Sequence, residues 1–275
     1  MVTVLRYAAF TSDPAGGNPA GVVLDAGGLD DDAMQAIATE VGYSETAFTD
    51  GPDASGVRPV RYFSPKAEVP FCGHATVATA VALAERNGPG EIVFDTRAGR
   101  VPVTVDDTLR ATLTSVEPSV EDAGDLTDVL DILNWSPADL NPALPARIAY
   151  AGARHLVLST ATRRRLAALD YDFDRLLAYM LERDLTTLQL VWRESPTVFH
   201  VRDPFPVGGV VEDPATGAAA AAFGAYLREL GEGQPTITLH QGDDLGRPSL
   251  ITVELRPDDN RVRVSGNAVP ITAPA

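Results

Sequence analysis

Residues 72–80 read Cys-Gly-His-Ala-Thr-Val-Ala-Thr-Ala, and residues 216–224 read Thr-Gly-Ala-Ala-Ala-Ala-Ala-Phe-Gly. In both stretches a glycine, Gly73 or Gly217, opens a helix built almost wholly of small apolar residues. Such a helix has no polar face, so it is stable only when it is buried on all sides. One stretch lies in each half of the 275-residue chain. The pair therefore predicts two similar halves, each with a central helix wrapped by strands.

The composition narrows the classes of partner and compartment. The chain carries 22 basic and 38 acidic residues, a formal net charge of −16. This negative field repels nucleic acid and anionic membrane surfaces, whereas a small carboxylate can still be bound by converging backbone N–H groups. The single cysteine, Cys72, allows neither an intramolecular disulfide nor a thiolate cluster for a metal. With no signal-like or membrane-spanning stretch, a soluble cytoplasmic protein is expected.

Alternating runs in the first hundred residues predict strands separated by glycine- or proline-marked turns. These runs are residues 2–6, 43–48, 57–63, 91–96 and 100–106. Apolar residues at helical spacing predict a helix over residues 31–41, with Asp30 as its N-cap and Gly42 as its terminating residue. A second helix is predicted to begin near Gly73.

Residues 116 to about 144 are acidic and contain prolines, which predicts a linker followed by a short surface helix. We therefore place the boundary between residues 118 and 119, with half-domains 1–118 and 119–275, and the last strand can return to the first half. A helix is predicted over residues 162–181. Strands are predicted at 147–150, 155–159, 188–193, 197–202, 236–240, 250–256 and 261–266. The fold class expected is α+β with two halves of similar size.

The start of a buried helix is a natural anion site, because its first N–H groups lack intrahelical partners and the helix dipole is positive there. His74 lies in the first turn of one predicted helix, where the dipole disfavours the imidazolium and leaves a neutral ring that can relay a proton. Glu212 and Asp213 precede the other helix. An aspartate before Pro-Ala-Thr is also an ordinary turn and capping arrangement, so a structural role for Asp213 stays open.

Two further polar residues are candidates. Glu45 shares a strand face with Tyr43 and Ala47, which is an unusual setting for a carboxylate and suits general acid/base chemistry. A glutamate on an edge strand that points to solvent is the alternative reading. Asn18, in Gly-Asn-Pro, could present its amide to a ligand or could simply form a turn.

Several chemistries find no support in the sequence. Cys72 has no second cysteine with which to form a two-thiol racemase, and a buried, inert role is expected for it. His155, His200 and His240 are scattered without ligand spacing, so no metal site is predicted. The chain also lacks a Walker loop, a G-x-G-x-x-G fingerprint and a G-x-S-x-G elbow.

Five stretches carry a resemblance to a known family. They are Phe-Thr-Ser-Asp-Pro-Ala-Gly-Gly-Asn-Pro-Ala-Gly-Val at 10–22, Ser-Glu-Thr-Ala-Phe at 44–48, Arg-Tyr-Phe-Ser-Pro-Lys-Ala-Glu-Val at 61–69, Cys-Gly-His-Ala-Thr at 72–76 and Gly-Val-Val-Glu-Asp-Pro-Ala-Thr-Gly at 209–217. In order and spacing they resemble the phenazine biosynthesis-like (PhzF) family. The resemblance implies a diaminopimelate epimerase-like α+β fold with two pseudo-symmetric domains, each a rolled sheet around a central helix.

The resemblance also implies an activity. It is that of a cofactor-free isomerase that moves a proton on a small carboxylate substrate, similar to trans-2,3-dihydro-3-hydroxyanthranilate isomerase. Family members often carry a serine where this chain has Ala218, which puts that particular substrate in question. A homodimer is also expected. The implied roles are acid/base catalysis by Glu45 with support from His74 and Asp213, carboxylate binding by the backbone of Gly73, Gly217 and Ala218, and substrate orientation by Asn18 and Ser44.

Two other functions remain open on the same fold. One is a two-base racemase or epimerase of an amino or hydroxy acid, with Glu45 and Asp213 on opposite faces of a stereocentre. The other is a non-catalytic protein that sequesters a small acid. Deuterium incorporation from solvent at a stereocentre distinguishes the first, and unchanged ligand binding with no turnover distinguishes the second.

Overall fold

The computed structural model describes residues 2–272. They divide into two compact units, one made of the residues up to Thr114 together with those from Ser265 on, the other of Ser115–Val264. Each unit is mixed α+β and contains a helix of small residues buried against strands. Within residues 2–272 no helix is both long and apolar enough to cross a membrane.

The elements of the first unit are β1 (Leu5–Ala9), β2 (Asn18–Val23), α1 (Asp31–Val41), β3 (Glu45–Thr49), β4 (Val57–Phe63), β5 (Glu68–Val69), α2 (Gly73–Asn87), β6 (Gly90–Thr96), β7 (Gly99–Val105) and β8 (Arg110–Thr114). Those of the second unit are β9 (Ser119–Asp122), α3 (Thr127–Ile132), β10 (Arg147–Tyr150), β11 (Arg154–Ser159), α4 (Arg163–Ala167), α5 (Phe173–Glu182), β12 (Thr187–Arg193), β13 (Val198–Pro204), β14 (Glu212–Asp213), α6 (Gly217–Glu229), β15 (Thr236–Gln241) and β16 (Ser249–Arg256). The last strand, β17 (Asp259–Pro270), begins in the second unit and ends in the first.

Strands surround α2 in the first unit. β1 lies antiparallel to β2 and β17, β2 runs parallel to β3, and the pairing continues through β4, β6 and β7 to β8. β8 also pairs with β17, so the ring of strands closes. Every residue of α2 from His74 to Ala84 is buried, because its small side chains let strands pack on all sides. The predicted central helix of the first half is confirmed.

The corresponding helix of the second unit is α6. It packs against β9, β10, β11, β12 and β16, and its residues from Ala219 to Leu227 are buried. Close packing explains Gly224 in the middle of this helix: a Cβ there would lie 2.7 Å from Val253 Cγ1 and 3.1 Å from Val262 Cγ1. The helix can approach these strands only because the residue has no side chain.

The structure confirms the predicted bounds of α1. Asp30 Oδ1 accepts the Ala33 N–H at 2.9 Å, and Gly42 ends the helix with φ at 71°. A positive φ costs little only for a residue without a Cβ, so glycine is suited to this end. The helix buries Met34 and Ala38 against the strands.

The predicted linker over residues 116–144 is wrong in part. It contains strand β9, which the sequence did not predict, as well as the short helix α3. α3 is a surface helix, as predicted: Thr127, Asp128 and Asp131 are exposed. Its other face buries Val129, Leu130 and Ile132 in an apolar cluster of the second unit and packs against α5.

Two other predictions need correction. The single helix predicted over residues 162–181 is two helices, α4 and α5, because Asp172 accepts the Arg175 N–H at 3.0 Å and caps a new helix. The segment beginning at Asn18 is strand β2 rather than a loop, since it pairs with β1 on one side and β3 on the other. β1 itself lies a few residues later than the predicted strand at 2–6.

His155 in β11 is a buried core histidine. Its Nδ1 lies 2.8 Å from Thr187 Oγ1 on the neighbouring parallel strand β12, and its Nε2 has no hydrogen-bond partner among residues 2–272. Burial lowers the pKa of His155 to about 3, because the imidazolium would lose its hydration. The ring is therefore neutral in the folded protein at ordinary pH.

We predict that His155 makes the free energy of unfolding fall more steeply as the pH decreases. In the unfolded chain its pKa is about 6.5, so the unfolded state takes up the extra proton as the pH falls below that value. Stability is intact above this pH and is lost below it, by up to about 1.4 kcal/mol for each pH unit. His155→Gln cannot titrate and should lose this part of the slope in urea unfolding followed from neutral pH down to about pH 4. His240→Gln, outside the core, is the control, and equal slopes for wild type and His155→Gln would contradict the prediction.

A buried ion pair holds the chain ahead of α6. Arg202 Nε donates to both carboxylate oxygens of Glu212 at 3.0 and 3.1 Å, and Nη2 donates to Oε2 at 2.5 Å. Arg202 is 9% and Glu212 7% exposed. Arg202 Nη1 also donates to the carbonyl of Ala167 at 2.9 Å. Glu212, which precedes the predicted second helix in the sequence, therefore forms an ion pair with the Arg202 guanidinium inside the second unit.

We predict that Arg202→Met lowers the free energy of unfolding by about 3–5 kcal/mol, because it leaves the Glu212 carboxylate buried without a counter-charge. Urea unfolding measures this loss. The double variant Arg202→Met with Glu212→Leu should recover most of it, since both charges are then removed. Arg256→Met breaks an exposed pair with Glu254 and should cost no more than about 1 kcal/mol. An Arg202→Met protein as stable as wild type would refute the prediction.

Candidate active site

The first group of site residues meets where two parallel strands start. Asn18 is the first residue of β2 and Glu45 the first of β3. These strands are parallel neighbours, with Ala20 opposite Glu45, so their starting ends lie at the same edge of the sheet. The Glu45 side chain is 14% exposed. Within residues 2–272 no arginine or lysine lies within ion-pair distance of its carboxylate.

The start of α2 lies beside these strand ends. Cys72 is the N-cap in an extended conformation, and its side chain does not cap the helix. The first intrahelical bond runs from the Thr76 N–H to the Cys72 carbonyl at 3.0 Å. The N–H groups of Gly73, His74 and Ala75 therefore stand outside the helical ladder, where the dipole is positive. The helix start therefore has the unpartnered first N–H groups of the helical ladder that the sequence predicted, and anion binding there stays a prediction.

Hydrogen bonds orient the His74 ring. Asn18 Nδ2 lies 3.2 Å from Nδ1, and Ser44 Oγ lies 3.3 Å from Nε2. With the Asn18 amide donating, Nδ1 is the acceptor and the ring proton sits on Nε2. That Nε2–H faces Ser44 and also the Glu45 Oε2, 3.4 Å away. The structure thus brings together Asn18, Ser44, Glu45, Gly73 and His74, as the resemblance implied.

Cys72 belongs to the same group, which sequence reasoning missed. Its thiol donates to Glu45 Oε2 at 3.4 Å, and its Sγ lies 3.3 Å from His74 Nδ1 and 3.8 Å from Nε2. The residue is buried, as expected, at 8% exposure. It is not isolated from the chemistry, however: one ligand-type atom from each of Glu45, Cys72 and His74 lies within 4.8 Å of the others.

The second group lies at the start of α6, within the second unit. Thr216 is the N-cap, and its hydroxyl donates to Asp213 Oδ2 at 2.6 Å. Gln241 Nε2 donates to the Asp213 carbonyl at 2.8 Å, while Gln241 Oε1 accepts the Thr216 N–H at 3.1 Å. Gln241 comes from β15 and had no signal in the sequence. The N–H groups of Gly217 and Ala218 lie in the first turn, outside the helical ladder.

Asp203 is a second aspartate at this place that sequence reasoning missed. It lies opposite Asp213 in the β13–β14 pair and is fully buried. With the Gln189 amide turned so that its nitrogen faces Asp203, that nitrogen donates to both carboxylate oxygens at 2.7 and 3.0 Å. Burial raises the pKa of Asp203 well above its usual range, and the negative charges of Asp213 and Glu212 raise it further. In sequence, an aspartate before Pro204 gives only a turn signal.

Other places offer less chemistry. A cavity of about 460 Å³ in the second unit is lined by Leu140, Pro142, Leu144 and neighbouring residues without titratable side chains. The structure places His200 opposite His240 on β13 and β15, with the rings stacked 5.0 Å apart, so these two are neighbours although they are far apart in sequence. Neither feature involves the two groups at the helix starts.

Comparison with known proteins agrees with this architecture. A family model described as phenazine biosynthesis-like protein matches residues 7–273. The chain is 35% identical to the uncharacterized isomerase YddE of Escherichia coli, over 97% of this chain and 95% of that protein. It is 33% identical to the trans-2,3-dihydro-3-hydroxyanthranilate isomerase of Pseudomonas chlororaphis, over 95% and 94% of the two chains.

A solved structure shows the same fold. The PhzF-family phenazine biosynthesis protein of Bacillus anthracis superposes with a TM-score of 0.88 at 26% identity, over 98% of this chain and 97% of that one. The predicted fold class, a diaminopimelate epimerase-like α+β fold, is confirmed. A family match across almost the whole length, together with relatives above 30% identity, shows that this chain belongs to the phenazine biosynthesis-like protein family.

Proposed function

We propose that the protein is a cofactor-independent isomerase that moves a proton between two positions of a small carboxylate substrate, with Glu45 as the proton-carrying group. The observation that carries this proposal is the setting of Glu45. Its carboxylate is mostly buried, has no arginine or lysine partner among residues 2–272, and touches a histidine and a thiol. A carboxylate so placed is available to take and return a proton rather than to serve an ion pair.

The proposed reaction needs no group other than these side chains. Glu45 removes a proton from a substrate carbon, and the electron pair of the broken C–H bond moves into the adjacent conjugated system. Glu45 then returns the proton to another carbon of that system, which gives an enol that becomes a ketone. The relative from P. chlororaphis, named as trans-2,3-dihydro-3-hydroxyanthranilate isomerase, supports an isomerisation of this type.

In this proposal, the helix start within each unit offers hydrogen-bond donors for a carboxylate. Backbone N–H groups of Gly73 in α2, and of Gly217 and Ala218 in α6, stand outside the helical ladders and can donate to an anion. Negative charge that builds up as the proton leaves is stabilised by the same donors. The net charge of −16 does not prevent this, because salt screens the field of distant charges beyond roughly 8–10 Å.

His74 and Asp213 have supporting roles in the proposal. Asn18 and Ser44 hold the His74 ring with its Nε2 towards Glu45, so His74 can steady the carboxylate and pass a proton to it. Asp213 is held at the start of α6, where the Thr216 hydroxyl donates to its Oδ2 and Gln241 Nε2 donates to its backbone carbonyl. We propose that both residues orient the substrate.

The first prediction of this proposal concerns Glu45. The protein should consume trans-2,3-dihydro-3-hydroxyanthranilate, and Glu45→Gln should lower kcat by about 10²–10⁴-fold because the amide cannot carry the proton. Consumption followed by absorbance or chromatography measures this. Glu40→Gln, an exposed change in α1, is the matched control and should keep the wild-type rate.

A Glu45→Gln protein that retains full activity would refute the role of Glu45. If the wild type does not act on this compound, the next measurement is the exchange of substrate protons in deuterated water with other small carboxylates. Deuterium found at a stereocentre, with loss of optical purity, would favour the racemase alternative. Binding without any exchange, unchanged in Glu45→Gln, would favour a non-catalytic binding protein.

The second prediction concerns Ala218. The backbone N–H remains at this position, whereas the serine hydroxyl that the family resemblance implies here is absent. Ala218 is partly exposed in the first turn of α6, so a serine hydroxyl can be added there without displacing buried side chains. Ala218→Ser should raise kcat/KM for trans-2,3-dihydro-3-hydroxyanthranilate by about two- to tenfold, the effect of one added hydrogen bond. An unchanged or lower kcat/KM in Ala218→Ser would contradict the prediction that a hydroxyl at this position adds a hydrogen bond to the substrate.

A further inference from the structure

We propose that Asp203 is a positioning residue for Asp213, in an acid pair of which Asp203 is the neutral half and Asp213 the ionised half. The pair lies within the second unit, beside the start of α6. The existence of the pair stands on the geometry of that unit. Its importance for the reaction rests on the proposed function, in which Asp213 orients the substrate.

The two aspartates face each other across a pair of strands. Asp203 in β13 lies directly opposite Asp213 in β14, and the strands are antiparallel. Opposite residues of antiparallel strands point to the same face, with their Cβ atoms about 4.5–5.5 Å apart. Asp203 is 0% and Asp213 6% exposed. The two carboxyl groups are therefore neighbours, and water screens the charge of neither one well.

The arginine beside this pair serves the other face of the same two strands. Successive side chains of a strand point to opposite faces, so Arg202 points away from Asp203. On its own face Arg202 forms the buried ion pair with Glu212. Within residues 2–272 no arginine, lysine or histidine lies within ion-pair distance of Asp203. One face thus holds a cation with an anion, whereas the other holds two acids.

Two carboxyl groups in this setting do not both carry a charge. Neighbouring carboxyl groups in a buried site share one proton, because burial and the first negative charge both disfavour the second ionisation. Burial raises the pKa of Asp203 well above its usual range, and the charges of Asp213 and Glu212 add to this rise. Asp213 is the more accessible of the two and lies beside the start of α6, where the helix dipole favours an anion. Asp203 is therefore the half that keeps the proton.

The hydrogen bonds of Thr216 support this assignment. Its hydroxyl donates to Asp213 Oδ2 at 2.6 Å, and Thr216 is also a hydrogen-bond partner of the Asp203 side chain. A hydroxyl has one proton and two acceptor lone pairs. Because that proton goes to Asp213, Asp203 can bond to Thr216 only as the donor, which requires the protonated acid. The other lone pair of the hydroxyl accepts Gln241 Nε2 at 3.0 Å.

Gln189 in β12 holds Asp203 from the opposite side. With its amide nitrogen turned towards Asp203, it donates to the two carboxyl oxygens at 2.7 and 3.0 Å. Gln189 is itself fully buried. The bonds therefore run in a chain from Gln189 through Asp203 and Thr216 to Asp213. A buried network in which every member has its partners is rigid, so this chain sets the orientation of the Asp213 carboxylate.

The chain makes the reaction sensitive to high pH. The groups that face Asp203 or act on its charge are Gln189 of β12, Glu212 and Asp213 of β14, Thr216 at the start of α6 and Gln241 of β15. Of these, only the two acids of β14 are charged, and Arg202 offsets Glu212. When Asp203 loses its proton, Thr216 loses a donor and Asp213 gains a negative neighbour. We therefore expect kcat to decline at the pH at which Asp203 ionises.

Infrared spectroscopy tests the acid pair without an activity assay. The carbonyl stretch of a protonated carboxylic acid absorbs apart from the carboxylate and amide bands, and it shifts in deuterated water. The difference spectrum of wild type minus Asp203→Asn at neutral pH should contain this band. Asp174→Asn, an exposed change in α5, is the matched control, and its difference spectrum should lack the band.

Urea unfolding gives a second measure of the same proton. The pKa of an unfolded aspartate is about 3.9, and a group whose pKa is raised on folding keeps a proton that the unfolded chain releases above that value. The stability that this proton contributes is complete below about pH 3.9 and is lost as the pH rises towards the pKa of the folded state. Asp203→Asn should lack this loss between about pH 5 and 8, whereas Asp174→Asn should follow wild type.

Kinetics test the positioning role, with trans-2,3-dihydro-3-hydroxyanthranilate or another carboxylate that the wild type isomerises. Asp203→Asn should keep kcat within about threefold of wild type near neutral pH, because its amide donates to Thr216 and accepts from Gln189 as the protonated acid does. It should lose the decline of kcat at high pH. Asp203→Leu makes no hydrogen bond, and its kcat should fall about five- to 100-fold because buried polar groups are left unpaired.

The outcomes separate the acid pair from its role. A difference spectrum without the acid band overturns the pair. The same decline of kcat at high pH in wild type and Asp203→Asn overturns the positioning role, and this comparison decides the matter even where Asp203→Leu does not fold. A protein that shows the acid band but isomerises no carboxylate refutes the proposed function together with the positioning role, and leaves the acid pair standing.

Discussion

The structure depends on the burial of two helices that have almost no polar side chains. Their buried stretches, residues 75–84 in α2 and 219–227 in α6, consist of alanine, glycine, threonine and a few larger residues, and strands cover them within their own units. In the middle of each buried helix the backbone groups pair through intrahelical hydrogen bonds, whereas the N–H groups of the first turn have no intrahelical partner. Because neither N-cap side chain caps its helix, N–H groups remain at both starts. The packing of small-residue helices inside strands therefore leaves hydrogen-bond donors at both helix starts.

The polar residues gather at these starts because strand ends lie there. Parallel pairing of β2 with β3 brings Asn18 and Glu45 to one edge, beside His74 at the start of α2. In the second unit, β13 and β14 bring Asp203 opposite Asp213. Burying such groups is costly unless partners satisfy them, and the partners are present: Gln189 for Asp203 and Arg202 for Glu212.

The sequence by itself determined the local features. The bounds of α1 follow from Asp30, Gly42 and the apolar spacing between them, and the two small-residue helices follow from their composition, because caps and burial requirements act over a few residues. Motif order was also sufficient to identify the family and thereby to select Glu45, His74 and Asp213. Without the family resemblance, the sequence around Glu45 and Asp213 was equally compatible with a purely structural role for each residue.

Only the tertiary structure decided which distant residues touch. It showed that Asn18 lies in a strand rather than in the predicted turn, and that Cys72 contacts Glu45. It also brought Gln241 from β15 to Asp213 and packed the apolar face of α3 against the core of the second unit. These contacts join residues from separate elements, and their proximity is set by strand pairing and helix packing, which no local stretch of the sequence encodes.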